Sequence, residues 1–389
     1  MTDLAEPDAA PADPPSHPAD ASERAGPARA SAEAADDGRR SRYPFGVPFG
    51  WYMVAWSHEL SPGTVLPRYY FGRHLVVWRD DQGGAHVQDA FCPHLGAHLG
   101  HGGRVTGTEL ECPFHGWRFD GDGRNTCIPY SSRTNARARI RSYPVVELAD
   151  HFVMMWFHPH GAPPAWEVSL PPEAHSEQFT DWRTVELAVA AGQQELAENT
   201  VDGPHFRYVH DTEIVPEIES YETDGFVART RTIQRFPTPR GVVDGRIDIE
   251  NQGPGFGFTW FRGIVDTLLV GCPIPVDDGH TLVRFNFKVR RLGDEASTSS
   301  VGEAFIREVV KQFEEDRPIW EHKAHLVRPA LADTDPPYLR FRRWYAQFYA
   351  DGTADAPELW PPPAPPPGAQ PEHRPPAKAT AGARHRPST

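Results

Sequence analysis

Two short loops, each with one cysteine and one histidine, constrain this chain more than any other feature of its sequence. The first reads Cys92-Pro93-His94-Leu95-Gly96 and the second Cys112-Pro113-Phe114-His115-Gly116-Trp117. Seventeen residues separate His94 from Cys112, so the pattern is C-x-H followed by C-x-x-H. Two thiolates and two imidazoles can complete one closed metal site, and Pro and Gly neighbours are typical of tight turns. The chain has only four cysteines, so half of them lie in these loops.

The residues alone leave three interpretations of these loops open. They contain unrelated buried Cys and His, a Cys₂His₂ zinc site, or the ligands of a Rieske [2Fe–2S] cluster, in which both Cys bind one iron and both His bind the other. The first interpretation would require half of the cysteines to fall in two matching loops by accident, and this argues against it. Zinc fingers separate a Cys pair from a His pair, whereas each loop here supplies one of each. The pattern therefore favours the cluster.

A second group of candidate ligands lies at residues 198–210, with the sequence ENTVDGPHFRYVH. Asp202 and His205 are three residues apart and would share one face of a helix. His210 follows His205 by five residues, which a straight helix does not align, but we expect Pro204 to disturb the turn and bring both rings to one point. A non-haem iron(II) oxygenase needs two His and one carboxylate on one side of the metal. Each His taken singly is more often a core or surface residue than a ligand.

Asp316 is the best candidate for the missing carboxylate. Apolar residues recur at helical spacing and predict a helix over Gly302–Glu315. Continued by one turn, this helix places Asp316 at the edge of its apolar stripe, with Glu314 and Glu315 pointing further from it. A carboxylate turned towards a core needs a hydrogen-bonded partner or a metal. The alternative is a helix-end carboxylate in water, and Pro318 is expected to break the helix nearby.

The whole pattern resembles the Rieske non-haem iron oxygenases over most of residues 45–350. The resemblance is carried by the two loops, by Asn199-x-x-Asp202-x-x-His205-x-x-x-x-His210 and by Phe313-Glu314-Glu315-Asp316. It implies that a [2Fe–2S] cluster is bound by Cys92, His94, Cys112 and His115, and that mononuclear Fe(II) is bound by His205, His210 and Asp316. It also implies that Asp202 bridges an iron ligand to a cluster histidine of the neighbouring subunit in a head-to-tail homotrimer, and that Asn199 lies close to the iron without binding it firmly.

Two segments near the C-terminus resemble the steroid-acting branch of this family, which includes bacterial 3-ketosteroid 9α-hydroxylases and animal cholesterol 7-desaturases. They are PIWEHK at 318–323 and LRFRRWYAQFY at 339–349. The resemblance implies a terminal oxygenase that uses dioxygen to hydroxylate or desaturate a hydrophobic substrate, with a sterol or steroid favoured. A tailoring enzyme of a bacterial natural product is the alternative within the class. An electron-transfer Rieske protein and a lipid-binding module are alternatives from other classes.

The predicted fold is α+β and divides into four regions. Residues 1–42 are rich in Ala, Pro, Asp, Glu and Ser, which predicts a disordered leader, and residues 360–389 are predicted to be a disordered Pro-rich tail. Residues 43–160 are predicted to form an all-β Rieske domain, with strands at 74–78 and 152–157. Residues 161–359 are predicted to form a helix-grip-type catalytic domain of antiparallel sheet plus helices. Its alternation of apolar and polar residues at 283–290 predicts a strand with one buried face.

Composition limits the partners of the chain. The formal net charge of −14 argues against a nucleic-acid surface. No run of about 18 apolar residues occurs, and the N-terminus lacks a signal-peptide pattern, which together predict a cytoplasmic protein without a membrane span. The GPGFGF segment at 253–258 does not match a dinucleotide fingerprint. Electrons are therefore expected from a separate ferredoxin and ferredoxin reductase.

Overall fold

The structure, a computed structural model, describes residues 42–212, 215–238, 241–263 and 265–350. The predicted tail and, apart from Arg42, the predicted leader lie outside these residues. The described part is α+β, as predicted, and is dominated by antiparallel sheets.

The N-terminal half consists of short strands. In chain order these are β1 (Gly50–Trp56), β2 (Val65–Tyr70), β3 (Arg73–Arg79), β4 (Ala85–Asp89), β5 (Arg104–Thr106), β6 (Glu109–Glu111), β7 (Arg118–Asp120), β8 (Asn125–Cys127), β9 (Ser142–Tyr143), β10 (Val145–Leu148) and β11 (Phe152–Phe157). They form three sheets with the orders β1-β11-β10, β2-β3-β4-β9 and β5-β6-β7-β8. Both strands predicted for this half are present, as β3 and β11.

The C-terminal half is built on one seven-stranded antiparallel sheet. Its strands are β12 (Arg183–Val189), β13 (Glu217–Asp224), β14 (Val227–Thr238), β15 (Gly241–Gln252), β16 (Gly257–Arg262), β17 (Thr267–Asp277) and β18 (His280–Val289). The order across the sheet is β12-β18-β17-β16-β15-β14-β13. Five of its six strand pairings join strands that are consecutive in sequence, as hairpin connections favour, and only β12 pairs out of sequence order.

The two faces of this sheet serve different purposes, because successive side chains of a strand point to opposite faces. On β17, Leu268 and Val270 are buried in a core that they share with Trp51 of β1 and Met154 of β11. The residue between them, Leu269, belongs to a smaller cluster on the opposite face. One face of the sheet therefore binds the N-terminal half, and the other is left to form a site.

Polar residues alternate with apolar ones along β18, but the prediction that only one of its faces is buried is wrong. Arg284 is 2% exposed and Asn286 is fully buried. The Arg284 guanidinium donates to the Glu186 carboxylate at 2.9 Å, the Met53 carbonyl at 3.1 Å and the Tyr70 hydroxyl at 3.1 Å. The polar face is buried against the N-terminal half because these partners satisfy its hydrogen-bonding groups.

Four α-helices complete the described fold: α1 (Gln193–Ala197), α2 (His205–Val209), α3 (Glu295–His322) and α4 (Tyr338–Ala346). Three 3₁₀ helices cover Ser57–Glu59, Pro172–His175 and Glu198–Val201. Within the described ranges, no helix combines the length and the apolar character that crossing a bilayer requires.

Helix α3 is twice as long as the predicted Gly302–Glu315 segment. It starts seven residues earlier, where the Asp294 side chain accepts a hydrogen bond from the Ser297 backbone N–H and caps the first turn. It also continues past Pro318 to His322, so the expected break at this proline is wrong. Tertiary contacts hold the last turns: the Tyr43 hydroxyl donates to the Trp320 carbonyl at 2.9 Å.

Candidate metal centres

Both Cys/His loops fold into the same turn. In the first, the Gly96 N–H donates to the Cys92 carbonyl at 2.9 Å, and the Cys92 N–H donates to the Ala97 carbonyl at 2.8 Å. The equivalent bonds in the second loop, from Gly116 and Cys112, measure 3.0 and 2.8 Å. The φ angles of Gly96 and Gly116 are 76° and 67°, a left-handed conformation that favours glycine. Two copies of one turn thus present a Cys and a His each.

Burial separates the two thiols from the two imidazoles. Cys92 and Cys112 are both 2% exposed, whereas the rings of His94 and His115 are partly exposed and have centroids 4.7 Å apart. Burial and the neighbouring Cys112 raise the pKa of the Cys92 thiol to about 11. A thiolate at this position therefore needs a cation beside it. This donor set fits a [2Fe–2S] group with its Cys-bound iron inside and its His-bound iron towards the surface.

The structure also brings together the second predicted set of ligands. One ligand atom from each of His205, His210 and Asp316 lies within 4.8 Å of the others. The Nε2 atom of His205 is 4.0 Å from Asp316 Oδ2, and that of His210 is 3.5 Å from Asp316 Oδ1. Two imidazoles and one carboxylate that converge from one side are the ligands of non-haem Fe(II), so these residues fit that metal.

The backbone brings the His205 and His210 rings together in a different way from the one predicted from the sequence. Asp202 and His205 do not share a helix, because Asp202 is extended (φ −100°, ψ 90°) and α2 starts only at His205. His210 lies just beyond the end of α2, at φ −104° and ψ 10°, and Asp211 follows at φ 51°. The end of the helix at Val209, rather than a distortion at Pro204, turns the second ring back to a centroid distance of 5.1 Å from the first.

Glu315 is a member of this site that the sequence reasoning missed. It was expected to point away, but its Oε2 lies 2.9 Å from His210 Nδ1, while Asp316 lies at the Nε2 side of the same ring. Burial lowers the pKa of His210, but hydrogen bonds to Asp316 and Glu315 outweigh burial and raise it. A carboxylate on the outer nitrogen fixes the tautomer of a metal-binding histidine and increases its basicity.

Hydrogen bonds also fix the positions of the Asn199 and His205 side chains. The Asn199 amide donates to Asp316 Oδ2 at 3.0 Å, which supports the predicted position of Asn199 beside the site. His205 Nδ1 is 2.5 Å from the Asp202 carbonyl oxygen, so this nitrogen donates a hydrogen bond and Nε2 is left to face Asp316. Both histidines therefore direct Nε2 towards Asp316, while Nδ1 is occupied by an outer partner.

The Asp202 side chain has two hydrogen-bond partners. It accepts from the His205 backbone N–H at 3.4 Å, and the hydroxyl of Tyr338, on α4, also donates to it. Burial raises the pKa of Asp202, but hydrogen bonds from His205 and Tyr338 outweigh burial and lower the pKa. The carboxylate is therefore charged in the folded chain at neutral pH.

Buried ion pairs hold the segment that precedes the histidines. Glu198 and Arg342 are 7% and 5% exposed and form a bidentate pair, with nitrogen–oxygen distances of 2.5 and 2.7 Å. Glu195 is 2% exposed and contacts Lys323 Nζ at 2.8 Å and His325 Nδ1 at 2.6 Å. Because these contacts join residues more than 120 positions apart, no local pattern could have predicted them.

A cavity of about 270 Å³ adjoins the three converging ligands. Most of its wall comes from the free face of the seven-stranded sheet and from α3, and apolar residues predominate. They include Ile247, Ile249, Phe261, Leu269, Val283, Phe285, Val309 and Phe313. Polar side chains are few, among them Asn251 and Thr259. An apolar pocket with few polar groups beside candidate metal ligands is the usual form of a small-molecule site.

Each half of the chain matches a model of a known protein family. A model described as the Rieske [2Fe-2S] domain matches residues 50–144, and one described as the 3-ketosteroid 9alpha-hydroxylase C-terminal domain matches residues 155–349. Among curated proteins, the oxygenase component of 3-ketosteroid-9-alpha-monooxygenase from Mycolicibacterium smegmatis is 31% identical, over 78% of this chain and 82% of that protein. Cholesterol 7-desaturase nvd from Xenopus laevis is 30% identical, over 84% and 78%.

Solved structures agree on the fold. Dicamba monooxygenase bound to dicamba superposes with a TM-score of 0.61 at 21% identity and covers 77% of this chain and 96% of its own. Pseudomonas putida CBB5 NdmA with caffeine gives a TM-score of 0.57 at 20% identity, over 76% and 89%. Identities this low show the fold alone.

These matches define the class of the protein: the chain belongs to the Rieske oxygenases and is an oxidoreductase with a Rieske [2Fe–2S] domain. Within that family it falls in the branch that contains the 3-ketosteroid 9α-monooxygenases and the cholesterol 7-desaturases. The family and branch predicted from the sequence are thereby confirmed. The match of residues 155–349 to a hydroxylase C-terminal domain argues against the electron-transfer alternative, which gives this half of the chain no role.

Proposed function

We propose that this chain is the terminal oxygenase that hydroxylates or desaturates a steroid, with mononuclear Fe(II) held by His205, His210 and Asp316. The observation that carries the proposal is the position of these three side chains beside an apolar cavity. When bound, the iron would activate dioxygen next to an unactivated C–H bond of the substrate. The apolar lining would exclude water from that position.

We assign the cluster ligands to Cys92, His94, Cys112 and His115. The buried thiols and the partly exposed imidazoles support this assignment, because electrons would then leave through the histidine edge at the surface. A separate ferredoxin and its reductase would supply the electrons, because the relatives are named as the oxygenase component of a larger system.

In the proposed iron site, the surrounding side chains set the orientation of each ligand. Asn199 binds one oxygen of Asp316 and leaves the other directed at His210. Glu315 and the Asp202 carbonyl accept the outer N–H groups of the two histidines, so that neither ring can rotate without losing a hydrogen bond.

We further propose a head-to-tail homotrimer, in which Asp202 connects His205 to a cluster histidine of the neighbouring subunit. Exposed apolar side chains near both centres support this arrangement. Leu95 and Phe114, in the cluster loops, are 65% and 60% exposed, and Tyr208, on α2, is 80% exposed. Contiguous exposed apolar surface marks sites that bind another chain, and an interface between neighbouring subunits would cover these side chains at both centres.

A steroid is the substrate class that the cavity and the relatives favour together. Relatives at 30–31% identity carry the names of ketosteroid and cholesterol enzymes. The cavity volume of about 270 Å³ lies just below the usual range of about 300–1,000 Å³ for small-molecule sites, which favours a compact ring system over an extended acyl chain.

The test is turnover of the purified protein with a surrogate ferredoxin, its reductase and NADH, against cholesterol and 4-ene-3-ketosteroids. A product heavier by one oxygen indicates a hydroxylase, and a product lighter by two hydrogens indicates a desaturase. The control is His205→Ala, which should retain the cluster spectrum and lose all turnover. Absence of product, with cluster and iron both shown to be bound, would contradict the steroid proposal and favour a natural-product substrate.

A further inference from the structure

Four residues stand in one row across the floor of the cavity. The strand register places Asn251 of β15 opposite Gly257 of β16, Gly257 opposite Gly271 of β17, and Gly271 opposite Phe285 of β18. All four line the cavity. The floor therefore has two adjacent positions without a side chain, with an amide at one end of the row and an aromatic ring at the other.

The backbone does not require glycine at either central position. Neither Gly257 nor Gly271 has a positive φ, and glycine inside a strand is less stable than alanine. A Cβ at Gly271 would meet only Phe285 Cε1, at 4.0 Å, which is an ordinary contact. A Cβ at Gly257 would lie 2.5 Å from Asn251 Oδ1. The effect of the glycines is therefore to leave room in the cavity and to let the Asn251 amide lie over the floor.

Rows on both sides turn this gap into a trough. On one side, Ile249, Thr259 and Leu269 are paired across β15, β16 and β17 and also line the cavity. On the other side, the pair Pro273 and Val283 crosses β17 and β18. Since neighbouring strands are about 4.8 Å apart, the trough from Asn251 to Phe285 spans roughly 14 Å. The trough is mostly apolar, and its long axis runs across the strands.

The two ends of the trough differ chemically. At one end the Phe285 ring contacts Phe313, with centroids 5.7 Å apart, on the helix that also carries Asp316. At the other end, none of the described residues forms a hydrogen bond with the Asn251 amide, although this side chain is only partly exposed. An amide can donate to a carbonyl oxygen and can either donate to or accept from a hydroxyl group.

We propose that Gly257 and Gly271 form a seat for a flat fused-ring substrate and that Asn251 binds the polar group at the end of the ring system remote from α3. This inference rests on the proposed steroid function and deepens it. It predicts selection for a flat ring system that carries a keto or hydroxyl group at one end. Sterols bent at a ring junction would not lie in the trough.

The experiment measures equilibrium binding of a flat 4-ene-3-ketosteroid and of its 5β-reduced counterpart, whose first two rings meet at a bend. The wild-type protein should bind the flat steroid more tightly. Gly271→Val should weaken binding of the flat steroid by about tenfold or more, and Gly271→Ala by less. Gly293→Ala is the matched control, because a Cβ there meets no atom within 4 Å and the residue lies outside the cavity. An unchanged far-ultraviolet circular dichroism spectrum and an unchanged midpoint of thermal unfolding show that each variant is folded.

The polar end is tested with Asn251→Leu, which keeps the size of the side chain. It should weaken binding of the ketosteroid by about tenfold and leave binding of the analogue without that oxygen unchanged. Equal losses for both ligands would overturn the assignment of Asn251. If Gly271→Val binds the flat steroid with wild-type affinity, the proposal that the two glycines form the seat is wrong.

The experiments distinguish an error in the proposed seat from an error in the proposed steroid substrate. If the wild-type protein binds no steroid, the proposed substrate class is wrong, and the trough is tested with pyrene, a flat fused-ring hydrocarbon. Pyrene binding that weakens in Gly271→Val supports the trough without the steroid. Pyrene binding that is absent, or unchanged in Gly271→Val, overturns the trough as well.

Discussion

The cluster loops and the proposed iron site are held in place by different kinds of contact. Each cluster loop is shaped by its own backbone, through two hydrogen bonds and a glycine with positive φ inside six residues. The histidines at 205 and 210 depend instead on side chains from distant parts of the chain, above all Glu315, Tyr338 and Arg342. A locally encoded site tolerates distant changes, whereas a site assembled over long range couples its geometry to the rest of the fold.

The largest expected effect comes from removing a ligand at each centre. Asp316→Ala should abolish turnover and leave the visible spectrum of the cluster intact, because among the described residues the contacts of the cluster loops do not include Asp316. Cys112→Ala should abolish both turnover and the cluster spectrum. The measurement is product formation beside the absorption spectrum. A cluster lost in Asp316→Ala would show that the two centres do not form independently.

Breaking the buried ion pair should strongly destabilise the C-terminal half. Arg342→Met leaves the Glu198 carboxylate buried without its main partner, and such a change costs about 3–5 kcal/mol. The control is Arg290→Met, which removes a surface pair with Asp266 at 3.0 Å and should cost about 0–1 kcal/mol. Denaturant unfolding measures both. Equal losses would mean that the buried pair does not support the site.

Glu195 should make stability depend on acid pH. Burial raises the pKa of this carboxyl group, but His325 and Lys323 outweigh burial and lower the pKa to about 2. A lowered folded-state pKa stabilises the protein above the unfolded-state value near 4.5, by about 3 kcal/mol, and this contribution is lost as the pH falls towards 2. The difference in melting temperature between wild type and Glu195→Gln should therefore shrink from pH 5 to pH 3. A difference in melting temperature that stays constant between pH 5 and pH 3 would contradict the lowered pKa of Glu195.

Removing the outer partner of His210 should weaken iron binding without removing a ligand. Glu315→Ala is expected to lower iron affinity by about 10–100-fold, measured by competition with a chelator. The neighbouring Glu314→Ala is the control, because Glu314 forms an exposed pair with Arg317 and does not contact the three proposed ligands. If both variants bind iron equally, Glu315 has no role in the site.

The smallest effect is expected in a cluster loop. Gly116→Ala places a Cβ at φ 67° and 3.0 Å from Pro129 Cγ, which should cost about 1–2 kcal/mol of stability. Gly293→Ala, at an open position without positive φ, is the control. Thermal unfolding and the cluster spectrum are the measurements. If Gly116→Ala is as stable as the control, the turn does not need its left-handed residue.

The same contrast explains what the sequence could predict. Cys92, His94, Cys112 and His115 lie in turns whose Pro and Gly residues are visible in the sequence, and the resemblance extended this pattern to His205, His210 and Asp316. The partners of these residues could not be predicted, because Glu315 reaches His210 only through the packing of α3 on the fold. The burial of Arg284 could not be predicted for a similar reason. Alternation of apolar and polar residues shows on which face of a strand a side chain lies, but not what packs against that face.

The most direct test of the two-centre account is the iron bound per chain, measured by metal analysis and Mössbauer spectroscopy. The account predicts one mononuclear high-spin iron(II) per chain in addition to the pair of irons in the cluster. In a His205→Ala, His210→Ala double variant the mononuclear iron should disappear while the signals of the cluster remain. A wild-type protein that binds iron only in the cluster, or a double variant that retains the mononuclear iron, would contradict the account.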